Sequence, residues 1–247
     1  MITLTANDAI HKAWLYRLLI AIVDNNNLST LYFKGGTAAA MAGYLDRFSL
    51  DLDFDYLGDL ENISFIRKEL NQIFKELGME IKDQSSKIPQ FLLKYPTKKP
   101  KSRNTLKLDI SFPVPKNNEY RAIKLRDIER IVICQDISTM FANKLVAIID
   151  RFEKNGSLAG RDVYDIHHFF INGYQYNSEV IIERTGLSLI DFFNKLSLFI
   201  ENKITSTILD QDLNFLLPYE SFKKIRKILK SESIMFISDE IKRLKDS

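Results

Sequence analysis

An alternating segment, Leu50–Asp55, constrains this chain more than any other feature. It consists of Leu-Asp-Leu-Asp-Phe-Asp, and side chains two apart in a β-strand point to the same face of a sheet. The apolar residues can therefore face a core while Asp51, Asp53 and Asp55 share the other face. Carboxylates packed this closely repel one another, and a divalent cation such as Mg²⁺ would offset the repulsion. We expect Asp55 to lie one pleat too far out and to be solvated.

A glycine turn precedes this strand. Gly35, Gly36 and Thr37 directly follow the strand-like segment Leu31–Lys34. Glycines let backbone N–H groups approach an anion, and a helix N-terminus adds its positive end. A phosphate cradle beside metal-binding carboxylates is what phosphoryl or nucleotidyl transfer requires. The three turn residues are therefore predicted to bind a nucleotide.

A third carboxylate occurs in a later strand-like segment, Thr105–Phe112. Here Asp109 shares the polar side with Lys107 and Ser111, and the strand could lie next to the one that carries the first carboxylates. Asp51, Asp53 and Asp109 would then form a two-metal site for Mg²⁺ or Mn²⁺. One ion would position the phosphates of a nucleoside triphosphate (NTP) and the other would lower the pKa of the attacking hydroxyl.

Three further charged residues allow two interpretations each. Arg47 could contact a triphosphate, or it could form a plain salt bridge with a neighbouring aspartate. Lys144 lies on one helix face with Arg151 and could bind phosphate, although the pattern alone favours an ordinary surface face. Asp162 lies in the first turn of the next helix, where the pattern alone favours a partner for the helix dipole.

Charge is unevenly distributed along the chain. Between Lys87 and Arg130 there are twelve Lys and Arg residues against four Asp and Glu. This stretch includes a predicted basic turn at residues 96–101, and it suits a surface that binds a polyanion. The alternative is a solvated, lysine-rich hairpin, which is equally compatible with residues 98–103.

Cysteine content and hydropathy bound the compartment. The chain has one cysteine, Cys134, in an apolar run, which favours a buried structural thiol and a reducing environment. There is no apolar stretch of about 18 residues and no signal peptide, so a cytoplasmic protein without membrane contact is the default expectation.

The order of segments predicts an α+β fold. Strands and helices share the first half, and only helices follow a boundary near residues 126–135. We expect the strand at 128–134 to be an edge strand or a bridge into the second half. The other strands are expected at 31–34, 49–56, 79–84, 91–95 and 105–112, and helices at 6–25, 37–42, 63–77, 138–151, 161–171, 188–204, 206–216 and 218–244.

These motifs together resemble a known family. Residues 34–38 and 47–54 resemble the opening motif of the AbiEii/AbiGii-type nucleotidyltransferase toxins, which belong to the polymerase-β-like nucleotidyltransferase superfamily. Residues 106–111 resemble the strand that carries the third carboxylate of that superfamily. Residues 144–151 and 161–165 resemble the later Lys and Arg-Asp motifs. The resemblance covers roughly residues 30–170.

The resemblance implies an architecture and an activity. The architecture is a polymerase-β-like mixed sheet with flanking helices over residues 1–130, followed by a helical bundle over 131–247. The activity is metal-dependent transfer of a nucleoside monophosphate from an NTP, with release of pyrophosphate. Relatives act as toxins of type IV toxin–antitoxin or abortive-infection systems, and some modify the 3′ acceptor end of tRNA. The implied partners are therefore an NTP, a tRNA or other RNA acceptor, and an antitoxin protein.

The resemblance also assigns roles by position. Thr37 takes the usual Ser/Thr place after the glycines, and Asp51 and Asp53 take the metal pair. Lys144 takes the place of a phosphate-contacting lysine and Asp162 that of the later acid. Threonine in place of the more familiar serine keeps the hydroxyl and adds a methyl group.

Three functions remain open from the sequence. The first is nucleotidyl transfer to RNA, which the basic stretch supports. The second keeps the chemistry but uses a protein hydroxyl or a small molecule, such as an aminoglycoside, as the acceptor. The third is a non-catalytic nucleotide- or RNA-binding module, against which three mutually repelling carboxylates argue.

Overall fold

The structure is a computed structural model that describes residues 6–97 and 104–246 of the 247-residue chain. The predicted basic turn at 96–101 lies mostly outside the described residues, and the lysine-rich segment 98–103 lies wholly outside them. The chain divides into two compact units. The first contains the described residues up to Val114 together with Tyr120–Gln135. The second contains Pro115–Glu119 and the described residues from Asp136 onward.

A mixed sheet forms the framework of the first unit, and the described residues contribute seven strands to it. The strand order is β3-β4-β5-β2-β1-β7-β6, with β2 parallel to β5 and β1 parallel to β7. All other neighbours are antiparallel. The strands are β1 (Leu31–Lys34), β2 (Leu52–Tyr56), β3 (Glu80–Gln84), β4 (Gln90–Lys94), β5 (Thr105–Ser111), β6 (Tyr120–Leu125) and β7 (Arg130–Gln135).

The two faces of this sheet differ in chemistry. Alternate residues of β2 and β5, including Leu52, Phe54, Leu108 and Ile110, are buried and supply the apolar core. This unit also contains the helices α1 (Ala6–Val23), α2 (Gly35–Met41) and α3 (Ile63–Glu76). An edge-to-face contact between Phe74 of α3 and Phe91 of β4, with ring centroids 4.9 Å apart, joins helix and sheet.

The described part of the second unit consists of helices and their connections. Asp136 caps its first helix, because the Asp136 side chain accepts a 2.8 Å hydrogen bond from the Thr139 backbone N–H. Asn177, Ser188 and Thr205 cap later helices in the same way. The helices are α4 (Ile137–Asn155), α5 (Gly160–Ile171), α6 (Ser178–Thr185), α7 (Leu189–Lys203), α8 (Ser206–Leu213) and α9 (Tyr219–Lys245).

The α+β class, with a mixed sheet ahead of helices, is confirmed, but several element predictions differ from the structure. Strand β6 and helix α6 were not expected. The strand expected at 128–134 is β7, and it lies inside the sheet between β1 and β6 rather than at an edge. β6 takes the edge instead, where a strand can remain polar and carry a weak apolar alternation.

The domain limits and the length of the helices bear on two broader expectations. The domain limits 1–130 and 131–247 remain a prediction, and in this structure β7 belongs with the first unit. Among the described residues, the helices are too short or too polar for any of them to span a bilayer.

Candidate active site

Two of the three predicted carboxylates lie side by side. Asp53 of β2 is the register partner of Asp109 of β5, and because the strands are parallel neighbours both side chains project from the same face. One carboxylate oxygen of Asp109 accepts a hydrogen bond from Lys107. The other, Oδ1, is buried without a hydrogen-bond partner. A buried carboxylate oxygen left unsatisfied is costly, and a cation would satisfy it.

The predicted glycine turn lies directly against this carboxylate pair. Gly35 adopts a φ of +78°, which a residue with a side chain rarely adopts. A Cβ atom at Gly35 would lie 2.4 Å from Oδ2 of Asp53. The turn therefore requires glycine for two reasons, and it brings the backbone of residue 35 against a candidate metal ligand.

Thr37 and His11 fix the segment that leads into the strand. The Thr37 hydroxyl donates to the carbonyl oxygen of Asp51, so its proton is used within the protein. The buried His11 ring donates from Nε2 to the Leu50 carbonyl oxygen at 2.9 Å. Two successive carbonyls are thereby held, and Asp51 lies just before β2 rather than within it. Contact between Thr37 and phosphate remains a prediction.

Arg47 packs behind the second glycine. Its side chain is buried, and Nη1 donates a 2.9 Å hydrogen bond to the carbonyl oxygen of Phe48. A Cβ atom at Gly36 would lie 2.7 Å from Nη2 of Arg47. The absence of a side chain at Gly36 therefore makes room for this guanidinium group, and a contact between Arg47 and a triphosphate remains a prediction.

The expectation that Asp55 is solvated was wrong. Asp55 is fully buried, and Oδ1 lies 2.5 Å from Nζ of Lys34. Oδ2 accepts hydrogen bonds from the Tyr120 hydroxyl at 2.8 Å and from Nε2 of Gln135 at 2.6 Å. These partners come from β1, β6 and β7, so neighbouring strands cover the pleat that the sequence pattern left open to solvent.

The three-carboxylate arrangement remains a prediction. In the described ranges, no three side chains of His, Cys, Asp or Glu are grouped as a ready-made metal site. Asp53 and Asp109 form the closest match to the expectation, with Asp51 outside the strand. Their hard oxygen donors and the unsatisfied Oδ1 of Asp109 suit a divalent ion such as Mg²⁺ or Mn²⁺.

The remaining predicted residues meet within the second unit. Lys144 of α4 has Nζ 2.8 Å from Oδ1 of Asp162 and 2.9 Å from Oδ2 of Asp165, both on α5 and both fully buried. Nε of Arg151 lies 2.8 Å from Oδ2 of Asp162, at ion-pair distance but without hydrogen-bond alignment. Burial alone would raise the pKa of Asp162, but the Lys144 and Arg151 cations outweigh it and lower the pKa to about 2.

Sequence analysis did not single out two members of these networks. Asp165 lies three residues after Asp162, so the two share a helix face, and that spacing could have revealed a buried carboxylate pair. Lys34 directly precedes the glycine turn, but its partner Asp55 was assigned to solvent. Lys34 is the register partner of Asp53, and its ammonium group reaches diagonally to Asp55, so the ion pair depends on a strand pairing and a side-chain direction that the sequence does not contain.

The fold places the protein among α+β proteins in which a mixed sheet is followed by helices. Two solved structures share it. One is JHP933 from Helicobacter pylori, with 20% identity, 99% coverage of both chains and a TM-score of 0.56. The other is a candidate nucleotidyltransferase from H. pylori, with 21% identity, 98% coverage of this chain, 99% of that chain and a TM-score of 0.60.

The family follows from the sequence itself. Residues 17–217 match the family model described as nucleotidyl transferase AbiEii toxin, type IV TA system. This chain therefore belongs to the AbiEii nucleotidyl transferase toxin family, as its motifs predicted. A comparison with curated protein sequences found no match.

Proposed function

We propose that this protein transfers a nucleoside monophosphate from an NTP to a hydroxyl of an RNA acceptor, with tRNA as the leading acceptor, and releases pyrophosphate. Membership of the AbiEii family supports nucleotidyl transfer as the reaction. The observation that carries the proposal is the pairing of Asp53 with Asp109 on one sheet face, against the backbone of Gly35. The arrangement is suited to holding a triphosphate beside a metal-binding pair.

Asp53 and Asp109 would hold the divalent ion. Their donor oxygens are of the hard type that Mg²⁺ and Mn²⁺ prefer, and Oδ1 of Asp109 lacks a partner. A bound ion would neutralise phosphate charge and lower the pKa of the attacking hydroxyl. Lys107 keeps the second oxygen of Asp109 oriented through its own hydrogen bond.

Other residues would orient the substrate. The space that side chains at Gly35 and Gly36 would fill holds the Asp53 carboxylate and the Arg47 guanidinium, so a triphosphate at the turn would meet a candidate metal ligand and a cation. Thr37 holds the Asp51 carbonyl and so sets the direction in which that residue enters β2. By family resemblance, Lys144 is assigned to phosphate contact and Asp162 to the later acidic position.

The acceptor assignment depends on charge. The stretch from Lys87 to Arg130 has twelve basic and four acidic residues, and an excess of this kind favours a polyanionic acceptor. Type IV toxin–antitoxin membership also implies an antitoxin partner. We therefore propose RNA as the acceptor.

The acceptor can be identified by labelling. Purified protein would be incubated with each α-³²P-labelled NTP in turn, with Mg²⁺ or Mn²⁺, and with total RNA, protein extract or an aminoglycoside. We expect label in RNA, with a rate that falls steeply as salt concentration rises. Label confined to protein or aminoglycoside would overturn the RNA assignment but keep the chemistry. No transfer under any of these conditions would favour a non-catalytic binding module.

A further inference from the structure

One partly buried ammonium group, that of Lys34, links two strands beside the carboxylate pair. Nζ of Lys34 lies 2.5 Å from Oδ1 of Asp55 on β2 and donates a 2.8 Å hydrogen bond to Oγ of Ser111 on β5. Asp55 and Ser111 are register partners, two residues beyond the register pair Asp53 and Asp109. Lys34 therefore joins the same two strands that present the candidate metal ligands, at the next position on the same face.

The rest of the network holds Asp55 from the other side. The Tyr120 hydroxyl and the Gln135 amide both donate to Oδ2 of Asp55, from β6 and β7. Buried ion pairs are often no more stabilising than apolar residues of similar volume, because both charges lose their hydration. A gain in fold stability therefore explains the Lys34–Asp55 ion pair poorly. Fixing the geometry of the neighbouring charged site explains it better.

We propose that Lys34 is a positioning residue for the Asp53–Asp109 pair. Two carboxylates on adjacent strands repel each other, and the repulsion favours side-chain rotation or strand separation. The Lys34 ammonium ties β2 to β5 next to that pair and keeps the two carboxylates at a spacing that accepts a divalent ion. This inference rests on the proposed function, because it assigns metal binding to the same two aspartates.

Ser111 gives the sharpest test, because removing its hydroxyl breaks the Lys34 link to β5 while leaving the Lys34–Asp55 ion pair in place. Mn²⁺ binding to the purified full-length chain would be measured by isothermal titration for wild type, Ser111→Ala, Ser111→Thr and Thr105→Ala. Thr105 lies on the same strand and the same face, six residues away, and serves as the matched control. We expect Ser111→Ala to weaken Mn²⁺ binding about tenfold or more, as supporting residues of metal ligands commonly do.

The other variants separate positioning from general destabilisation. Ser111→Thr keeps the hydroxyl and should bind Mn²⁺ as wild type does, as should Thr105→Ala. Melting temperatures measured in parallel should change little in all three. Ser111→Ala binding Mn²⁺ with wild-type affinity would overturn the positioning role.

A second variant addresses Lys34 itself. Lys34→Met alone would remove the cation beside the buried Asp55 carboxylate and is expected to destabilise the fold. The double variant Lys34→Met/Asp55→Asn removes both charges, and the asparagine oxygen can still accept from Tyr120 and Gln135. We expect the double variant to fold and to bind Mn²⁺ at least tenfold more weakly than wild type. A folded double variant with wild-type affinity would overturn the inference.

The variant Asp53→Asn separates a failure of the Lys34 positioning role from a failure of the proposed function. If the wild-type chain binds Mn²⁺ and Asp53→Asn does not, the result supports Asp53 as a metal ligand. A wild-type chain without Mn²⁺ binding, or unchanged binding in Asp53→Asn, would contradict the proposed function and the positioning role together. Normal binding in Ser111→Ala beside lost binding in Asp53→Asn would overturn the positioning role alone.

Discussion

Asp53 and Asp109 are register partners on parallel strands, and their carboxyl groups project from the same face of the sheet. These residues are 56 positions apart in the chain, so the sheet rather than local sequence brings them together. The glycine turn completes the arrangement, because Gly35 leaves room for the Asp53 carboxylate.

Gly35→Ala should damage both the turn and the site. The alanine would have to adopt a φ of +78°, and its Cβ would lie 2.4 Å from Oδ2 of Asp53. The φ alone costs about 1–2 kcal/mol of folding free energy. Gly43→Ala is the matched control, since Gly43 has a φ of +82° but a Cβ atom there would meet no other atom within 4 Å. Urea unfolding and Mn²⁺ titration would be measured for both.

The two glycine variants should separate strain from site damage. Gly43→Ala should lose stability by about the backbone cost alone and keep wild-type Mn²⁺ binding. Gly35→Ala should lose more stability and bind Mn²⁺ more weakly. Equal stability losses with unchanged Mn²⁺ binding in both would show that Asp53 does not depend on the space at Gly35.

Thr37 should act through its hydroxyl rather than its methyl group. Thr37→Val keeps the shape of the side chain but removes the donor to the Asp51 carbonyl, which should cost about 1–3 kcal/mol of unfolding free energy. Thr37→Ser keeps the donor and should retain most of the stability and all of the activity. Urea unfolding gives the free energy of unfolding of both variants. A valine variant as stable as wild type would show that this hydrogen bond does not stabilise the fold.

The two-residue alternation of side chains along a β-strand explains why the Asp53–Asp109 part of the site could be predicted from the sequence. Alternation in β2 and β5 tells which side chains share a face, so Asp53 and Asp109 could be chosen from the sequence. It does not tell which strand lies next to which. The burial of Asp55 depends on Tyr120 and Gln135, whose strands are distant in the chain, and the strand of Tyr120 was not expected.

Other differences come from single side chains that override a local pattern. Asp51 continues the alternation in the sequence, but hydrogen bonds from Thr37 and His11 hold the preceding backbone outside the strand. In the second unit, the pattern alone favoured a surface face for Lys144 and a helix-dipole partner for Asp162, and family resemblance rather than spacing identified both as site residues. Their pairing requires the packing of α4 on α5, which no local pattern contains.

Asp162 should make the free energy of unfolding depend on pH in the acidic range. Its folded-state pKa of about 2 lies below its ordinary value of 3.8, so the unfolded chain binds more protons as pH falls below about 4. The stabilisation by this group is therefore complete above about pH 5 and is lost as pH falls towards 2. Linkage predicts a loss of about 1 kcal/mol between about pH 5 and pH 3.

The variant Asp162→Asn isolates that contribution. It should be less stable than wild type at neutral pH, and the difference should narrow as the solution is acidified. Asp239→Asn, at an exposed position on α9, is the control and should follow the wild-type pH dependence. Urea unfolding across this pH range is the measurement, and a constant gap between wild type and Asp162→Asn would contradict the ion-pair account.

Cys134 should be unreactive in the native protein. The side chain is fully buried in β7, and burial raises the pKa of its thiol to about 12. A thiol reagent such as DTNB needs the thiolate, so native protein should react very slowly near pH 8. One thiol per chain should react after denaturation in guanidinium chloride. Rapid reaction of the native protein would show that β7 opens readily.

We propose that Asp53 and Asp109 carry metal-dependent nucleotidyl transfer. The most direct measurement is incorporation of ³²P from labelled NTPs into total RNA by wild type, Asp53→Asn, Asp109→Asn and the exposed control Asp59→Asn, with Mg²⁺ or with EDTA. We predict incorporation by wild type and Asp59→Asn in Mg²⁺, and none by either site variant or in EDTA. Wild-type incorporation by folded Asp53→Asn or Asp109→Asn would contradict the account.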